Sequence, residues 1–236
     1  MTSELRILPA GDSGWLIELP ERIDADINRR AIQIARAIED SRAGAGDGLP
    51  VTDVVVGYRS VMVYVDPLAD SPESVERRLH EIAASASEGA SDSGGLVEVP
   101  VCYEGAYAPD LADVAAFAGC TTDDVVVRHL GRDYRVFVVG FVPGFAYMAS
   151  VDPSIAAPRR SSPRLAVPAG SVAIASGQTG IYPAPTPGGW NLIGRCPIKP
   201  YDPDRDPPFL FHPGDTVRFV RISESAYRTS TQWDDV

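Results

Sequence analysis

Residues 158–197, PRRSSPRLAVPAGSVAIASGQTGIYPAPTPGGWNLIGRCP, set short runs of strand formers between loops dense in proline and glycine. With YRVFVVG at 134–140 before them and TVRFVRI at 216–222 after, SVAIASG and WNLIGR read as short strands of a closed or nearly closed β-barrel. GFVPGFAYM, 140–148, follows the first of these runs. Gly140, Pro143 and Gly144 oppose regular structure, so the segment is expected to leave the sheet as an ordered loop that presents Phe141, Phe145 and Tyr147.

Upstream the pattern changes. ELRIL and WLIEL flank a turn, and VTDVVVG and SVMVYVD form a second strand pair. Each pair precedes a helix: Ile27, Ala31, Ile34, Ala35 and Ile38 recur at helical spacing after Asp24 or Asp26, and Ser71-Pro72 opens a helix carrying Val75, Leu79, Ile82 and Ala83. Strand, strand, helix, twice over, makes a two-layer α/β domain over 1–88. SASEGASDSGG, 85–95, has linker composition, and a mainly β-barrel domain follows over 96–236. That second domain starts with a strand, VEVPVCY, and two short helices, one capped by Asp110 and one by Thr121 or Thr122. The fold class is therefore α+β followed by a mainly β-barrel.

A formal net charge of −11 argues against nucleic acid or an anionic membrane as partner, since both select clustered Lys and Arg. No apolar run is long enough to span a bilayer, so the expected location is the cytoplasm. Cys102, Cys120 and Cys196 are odd in number and widely spaced, and read as reduced, buried thiols. The histidines, His80, His129 and His212, have no metal-ligand spacing, so no metal is expected.

Nucleophiles are scarce. Ser171 lacks the glycines of a nucleophile elbow, and Lys199 is the only lysine, far in sequence from SSPR, which leaves a serine–lysine amidase hard to build. PGGWNLIGR leads into a strand and is no phosphate loop. Two features remain as candidates. His129 ends a helix where the dipole favours its protonated form, which makes it the proton-transfer candidate. Arg159, Arg160 and Arg164 form a basic cluster that either solubilises a loop or forks a carboxylate.

GFVPGFAYM, PRRSSPRLAVPAGSVAIASGQTGIYPAPTPGGWNLIGRCP and HPGDTVRFV together resemble the motif series of the allophanate hydrolase subunit 1 family. That family also contains the B subunit of 5-oxoprolinase and the inhibitor of a sporulation histidine kinase. The resemblance extends to GDSGWLIEL, GYRSVMVYVDP and VPVCYEGAYAPDLADVA. It implies a small N-terminal α/β domain and a C-terminal cyclophilin-like barrel. It also implies a heteromeric amide-handling hydrolase of the allophanate hydrolase or ATP-dependent 5-oxoprolinase type. Such an enzyme is active with a subunit 2 homologue, of the type of the 5-oxoprolinase C subunit, on a small urea- or lactam-derived carboxylate. No cofactor is expected to be tightly bound, and ATP enters in the assembled complex. On this reading Arg159, Arg160 or Arg164 holds the carboxylate, and Tyr147, Gln178, Tyr182 and Trp190 supply walls and hydrogen bonds. Phe141, Pro143 and Phe145 line the pocket or the partner seam. The alternative is a non-enzymatic inhibitor of a sensor histidine kinase, which needs an exposed apolar surface instead.

Overall fold

The structure, a computed structural model, describes residues 5–22, 24–42, 48–86 and 94–233. The chain divides into two compact units, Met1–Ser93 and Gly94–Val236. Most of the segment read as a linker, residues 87–93, lies outside the described residues.

In the first unit, β1 (Arg6–Ala10), β2 (Gly14–Glu18), β3 (Val51–Val56) and β4 (Ser60–Val65) form an antiparallel sheet in the order β1-β2-β4-β3. Helices α1 (Ala25–Arg42) and α2 (Pro72–Ser85) share one core with it, in which Ile17, Ile34, Ile38, Val61, Val63 and Leu79 are wholly buried. The caps are those the sequence calls for. Asp24 Oδ1 accepts from the Asp26 and Ile27 amides, and the Ser71 side chain accepts from Ser74 N with proline in the first turn.

In the second unit, β5 (Leu96–Cys102), β6 (Tyr134–Val139), β7 (Ala146–Ala149), β9 (Ser171–Ala175), β10 (Gln178–Ile181), β12 (Asn191–Arg195) and β13 (Thr216–Ile222) close a barrel in the order β10-β7-β6-β13-β5-β12-β9. Only β13 with β5 is parallel. The remaining strands, β8 (Arg164–Val167) and β11 (Thr186–Gly188), form a separate two-stranded ribbon. Helices α3 (Leu111–Ala118) and α4 (Thr122–Leu130) contribute Leu111, Val114, Val125 and Val126 to the barrel core, and α5 (Glu224–Ser230) follows β13. Thr121 starts α4 with a full capping box to Asp124.

Strand β9 shows how the wall of the barrel sets up a second surface. All five of its residues are buried. Val172 and Ile174 point into the barrel core, whereas Ala173 and Ala175 belong to a separate outer cluster with Phe145, Val167, Tyr182, Trp190 and Leu192. Two covered faces explain an unbroken apolar run where a half-exposed strand would alternate. GFVPGFAYM accordingly differs from expectation in its second half. Residues 140–145 make the turn, with Gly140 N donating to Phe145 O, but Ala146–Ala149 re-enters the barrel as β7 and carries Tyr147 on its outer side.

Candidate functional site

The outer cluster is organised around one ring. Phe145 is edge-on to Tyr147, Tyr182 and Trp190 at centroid separations of 4.7, 5.2 and 5.6 Å, and Phe141 meets it at 5.8 Å. Edge-to-face contacts of this kind fix ring orientation as well as burying area. Two glycines make room. A Cβ at Gly180 would lie 3.0 Å from Phe145 Cζ and 2.9 Å from Ala146 O, and one at Gly188 would lie 2.4 Å from the Tyr182 hydroxyl. Tyr147 remains half-buried and Phe141 is 62% exposed, so the cluster has an open rim. Phe141 also holds a positive φ of 71°, a strained backbone for an aromatic residue. Gln178 shares the outer side of β10 with Gly180, and Pro143 is exposed at the hairpin tip.

Electrostatics on this face favour hydrogen-bond donation. Burial raises the Tyr147 and Tyr182 phenols above their ordinary range, which the Arg159 charge offsets in part, and the Trp190 backbone also bonds to the Tyr182 phenol. Both phenols therefore keep their protons at neutral pH. Arg159 is exposed and, among the described residues, forms no ion pair. At the surface the arrangement presents Phe141, the edge of Tyr147 and Arg159, over a buried floor of Phe145, Tyr182 and Trp190.

The other two arginines do something else. Arg160 Nη1 and Arg164 Nη2 donate to the same oxygen, Oδ1 of Asp110, at 2.8 and 2.7 Å, and Asp110 Oδ2 accepts from Leu192 N at 2.7 Å. Asp110 is only 2% exposed. Its side chain makes no capping bond to α3, which corrects the expectation that it serves as a helix cap. Arg160 and Arg164 thus each give one guanidinium nitrogen to an internal carboxylate, while Arg160 Nε and Arg164 Nη1 are buried without a partner among the described residues and out of reach of the exposed rim.

His129 is also placed differently from expectation. Its imidazole is wholly buried inside the barrel, stacked on Phe219 at 4.7 Å, between the Tyr103 hydroxyl at 2.9 Å from Nδ1 and Thr179 Oγ1 at 3.1 Å from Nε2. Thr179 Oγ1 itself donates to Ala173 O, so Nε2 carries the proton and Nδ1 accepts from Tyr103. Burial outweighs the helix dipole and lowers the imidazole pKa to about 3. The neutral tautomer satisfies every neighbour. His129 sits in the barrel core, whereas Tyr147 lies across the wall with the outer cluster, so it does not act as the proton carrier of that site.

The structure therefore brings Phe141, Phe145, Tyr147, Tyr182 and Trp190 together, with Gln178 on the outer side of β10 and the Arg159 charge acting on two of the phenols, whereas the sequence reading does not count Asp110 or Asn191 among the site residues. Asn191 Nδ2 donates to Pro158 O at 2.9 Å, a bond that ties the arginine segment to β12. An aspartate just before a helix carries the signal of a cap, and nothing local marks its turn toward residues 50 and 54 positions away.

Among the described residues no three or more His, Cys, Asp and Glu side chains are grouped to hold a metal, and no helix is long and apolar enough to cross a membrane. The family described as carboxyltransferase domain, subdomain C and D, matches residues 5–211. A protein of Bacillus subtilis named as the B subunit of 5-oxoprolinase is 40% identical, covering 96% of this chain and 97% of its own length. One of the same name from Escherichia coli O157:H7 is 39% identical, covering 91% and 94%. The crystal structure of TTHA0988 superposes with a TM-score of 0.78 at 38% identity over 89% of this chain, which spans only 40% of that longer chain. The chain belongs to the carboxyltransferase subdomain C and D family, among proteins named as the B subunit of 5-oxoprolinase.

Proposed function

We propose that this chain is one subunit of a heteromeric, ATP-dependent enzyme of the 5-oxoprolinase type, which opens the lactam amide of a small carboxylate together with a partner of the C-subunit type. The name carried by its relatives supports the subunit role. The observation that carries the site assignment is the outer aromatic cluster with Arg159 beside it. Tyr147 and the exposed Phe141 meet a planar lactam over a floor formed by the buried Tyr182 and Trp190, the protonated Tyr147 phenol donates to its carbonyl, and Arg159 faces its carboxylate. The cluster has no nucleophile or general base among its described side chains, so this chain binds and orients while the bond-breaking groups and the ATP site come from the rest of the complex. The exposed, strained Phe141 and neighbouring Pro143 form the rim that meets the partner.

Co-expression with the C-subunit-type partner, followed by size-exclusion chromatography and an assay for glutamate released from 5-oxoproline, tests this. Co-elution and glutamate formation that needs both chains are expected. Separate elution at micromolar concentration, or glutamate formation without this chain, would remove it from the enzyme.

A further inference from the structure

We infer that Arg159 alone among the three clustered arginines is the ligand's cation, and that Asp110 and Asn191 are positioning residues that hold it against Trp190. This rests on the functional reading above and divides labour within the same site. The backbone of Arg159 is fixed on both sides: Asn191 Nδ2 donates to Pro158 O at 2.9 Å, and Arg160 N donates to Gly189 O at 2.8 Å. Residues 158–160 thus run beside 189–191, with Arg159 alongside Trp190. Further on, the Arg160 and Arg164 guanidinium groups share Asp110 Oδ1, and the other oxygen of that carboxylate is anchored on Leu192 N. Four of these five bonds join the arginine segment to the stretch carrying Trp190 or to Asp110, and the fifth ties Asp110 to Leu192, two residues beyond Trp190.

Charge follows the same division. Asp110, with Asp113 at 3.4 Å from Arg160 Nη1, pairs with Arg160 and Arg164; the Arg164 charge still reaches the Tyr182 phenol, but Arg159 is the one that acts on both the Tyr147 and Tyr182 phenols. In a chain of formal net charge −11 an unopposed guanidinium beside an aromatic wall is a local exception, and a carboxylate is the ligand group it suits. Asp110 acts through the arginine segment and touches no ligand.

The test uses the assembled complex and two probes that differ by one carboxylate: 5-oxoproline as substrate and 2-pyrrolidinone as competitor. Arg159→Gln is expected to raise KM for 5-oxoproline about 10- to 100-fold, with kcat within about two-fold, the inhibition constant of 2-pyrrolidinone unchanged and the melting temperature unchanged. Arg164→Lys, which keeps a charge for Asp110, is expected to lower the melting temperature and leave KM near wild type. Asp110→Asn is expected to raise KM with kcat held, whereas a residue that served stability alone would lower the melting temperature at constant KM. An unchanged KM in Arg159→Gln, or a rise in Arg164→Lys as large as that in Arg159→Gln, overturns the inference. A complex that makes no glutamate sinks the functional reading instead. The inference is then read on the chain alone as thermal stabilisation by acetate, benzoate and 5-oxoproline: stabilisation lost in Arg159→Gln supports it, and equal or absent stabilisation in both proteins overturns it.

Discussion

Acid should weaken the barrel unit through His129 well above the pH at which its hydrogen-bonded aspartates, Asp124, Asp133 and Asp152, lose their charge. Unfolded, the imidazole titrates near its ordinary value of about 6.5; folded, burial lowers it to about 3. Between those values the unfolded chain binds one more proton than the folded one, so stability rises with pH across the window and is lost as pH falls through it. At 1.36 kcal/mol per pH unit the loss is about 2 kcal/mol at pH 5 and approaches about 5 kcal/mol only near pH 3. For a unit of this size, 2 kcal/mol corresponds to a melting temperature lower by roughly 4 to 8 °C. The groups facing the imidazole do not confuse the reading, because burial raises both the Tyr103 and Tyr134 phenols and keeps them neutral. Asp24, Asp70, Asp124, Asp133 and Asp152 are all depressed by hydrogen bonds, so their contribution is lost only below their ordinary value of 3.8. Urea unfolding from pH 7.5 to 4.5, followed by fluorescence of Trp190 and Trp233 in a Trp15→Phe background, should show the midpoint falling steadily below pH 6.5. His129→Gln should start less stable, having lost bonds to Tyr103 or Thr179, but keep a flatter profile. Parallel profiles for the two proteins would refute a neutral buried imidazole.

Three further outcomes follow from the packing. Asp110→Ala strands the Leu192 amide and leaves Arg160 and Arg164 without their shared acceptor; breaking a buried pair costs about 3 to 5 kcal/mol, and the lower end is expected because both arginines are partly solvated, as a thermal melt would register. Gly180→Ala forces its new methyl against Phe145 and the Ala146 carbonyl, and should cost about 1 to 3 kcal/mol and alter the near-ultraviolet circular dichroism of the aromatic cluster; an unchanged spectrum and melt would contradict the tight fit. Thiol titration of the native chain should show Cys120 reacting first, since it is half-buried, and Cys102 and Cys196 reacting on unfolding, burial having pushed the Cys196 thiol up to about 12; three rapid thiols would contradict this.

Much of the fold was legible because its signals are local. The spacing of Ile27, Ala31, Ile34 and Ile38, the Ser71-Pro72 start and the Thr121-Thr122 pair before the second short helix each act within a turn or two of helix, and each element appears where they place it, with Thr121 as the cap. The ribbon β8–β11 and strand β10 were not legible, because RLAV, QTGI and TPG are too short and too rich in small residues and proline to announce strands. Their pairing is set by partners across the barrel wall. The site divides in the same way. Aromatics in a glycine-punctuated loop signal a surface, but the fate of His129 depends on Thr179, fifty residues on, and that of Arg164 on Asp110. Burial and long-range pairing reassigned both, and Arg159 is left as the one arginine of the motif without an ion pair among the described residues.

Everything proposed for the outer face depends on whether this chain is needed to open a lactam that bears a carboxylate. The decisive measurement is ATP-dependent formation of glutamate from 5-oxoproline by the purified complex, with this chain present as wild type, present as Arg159→Gln, or left out. Full activity with wild type, activity recovered only at about 10- to 100-fold higher 5-oxoproline with Arg159→Gln, and none without the chain are expected. Equal rates in the presence and absence of the chain would contradict it.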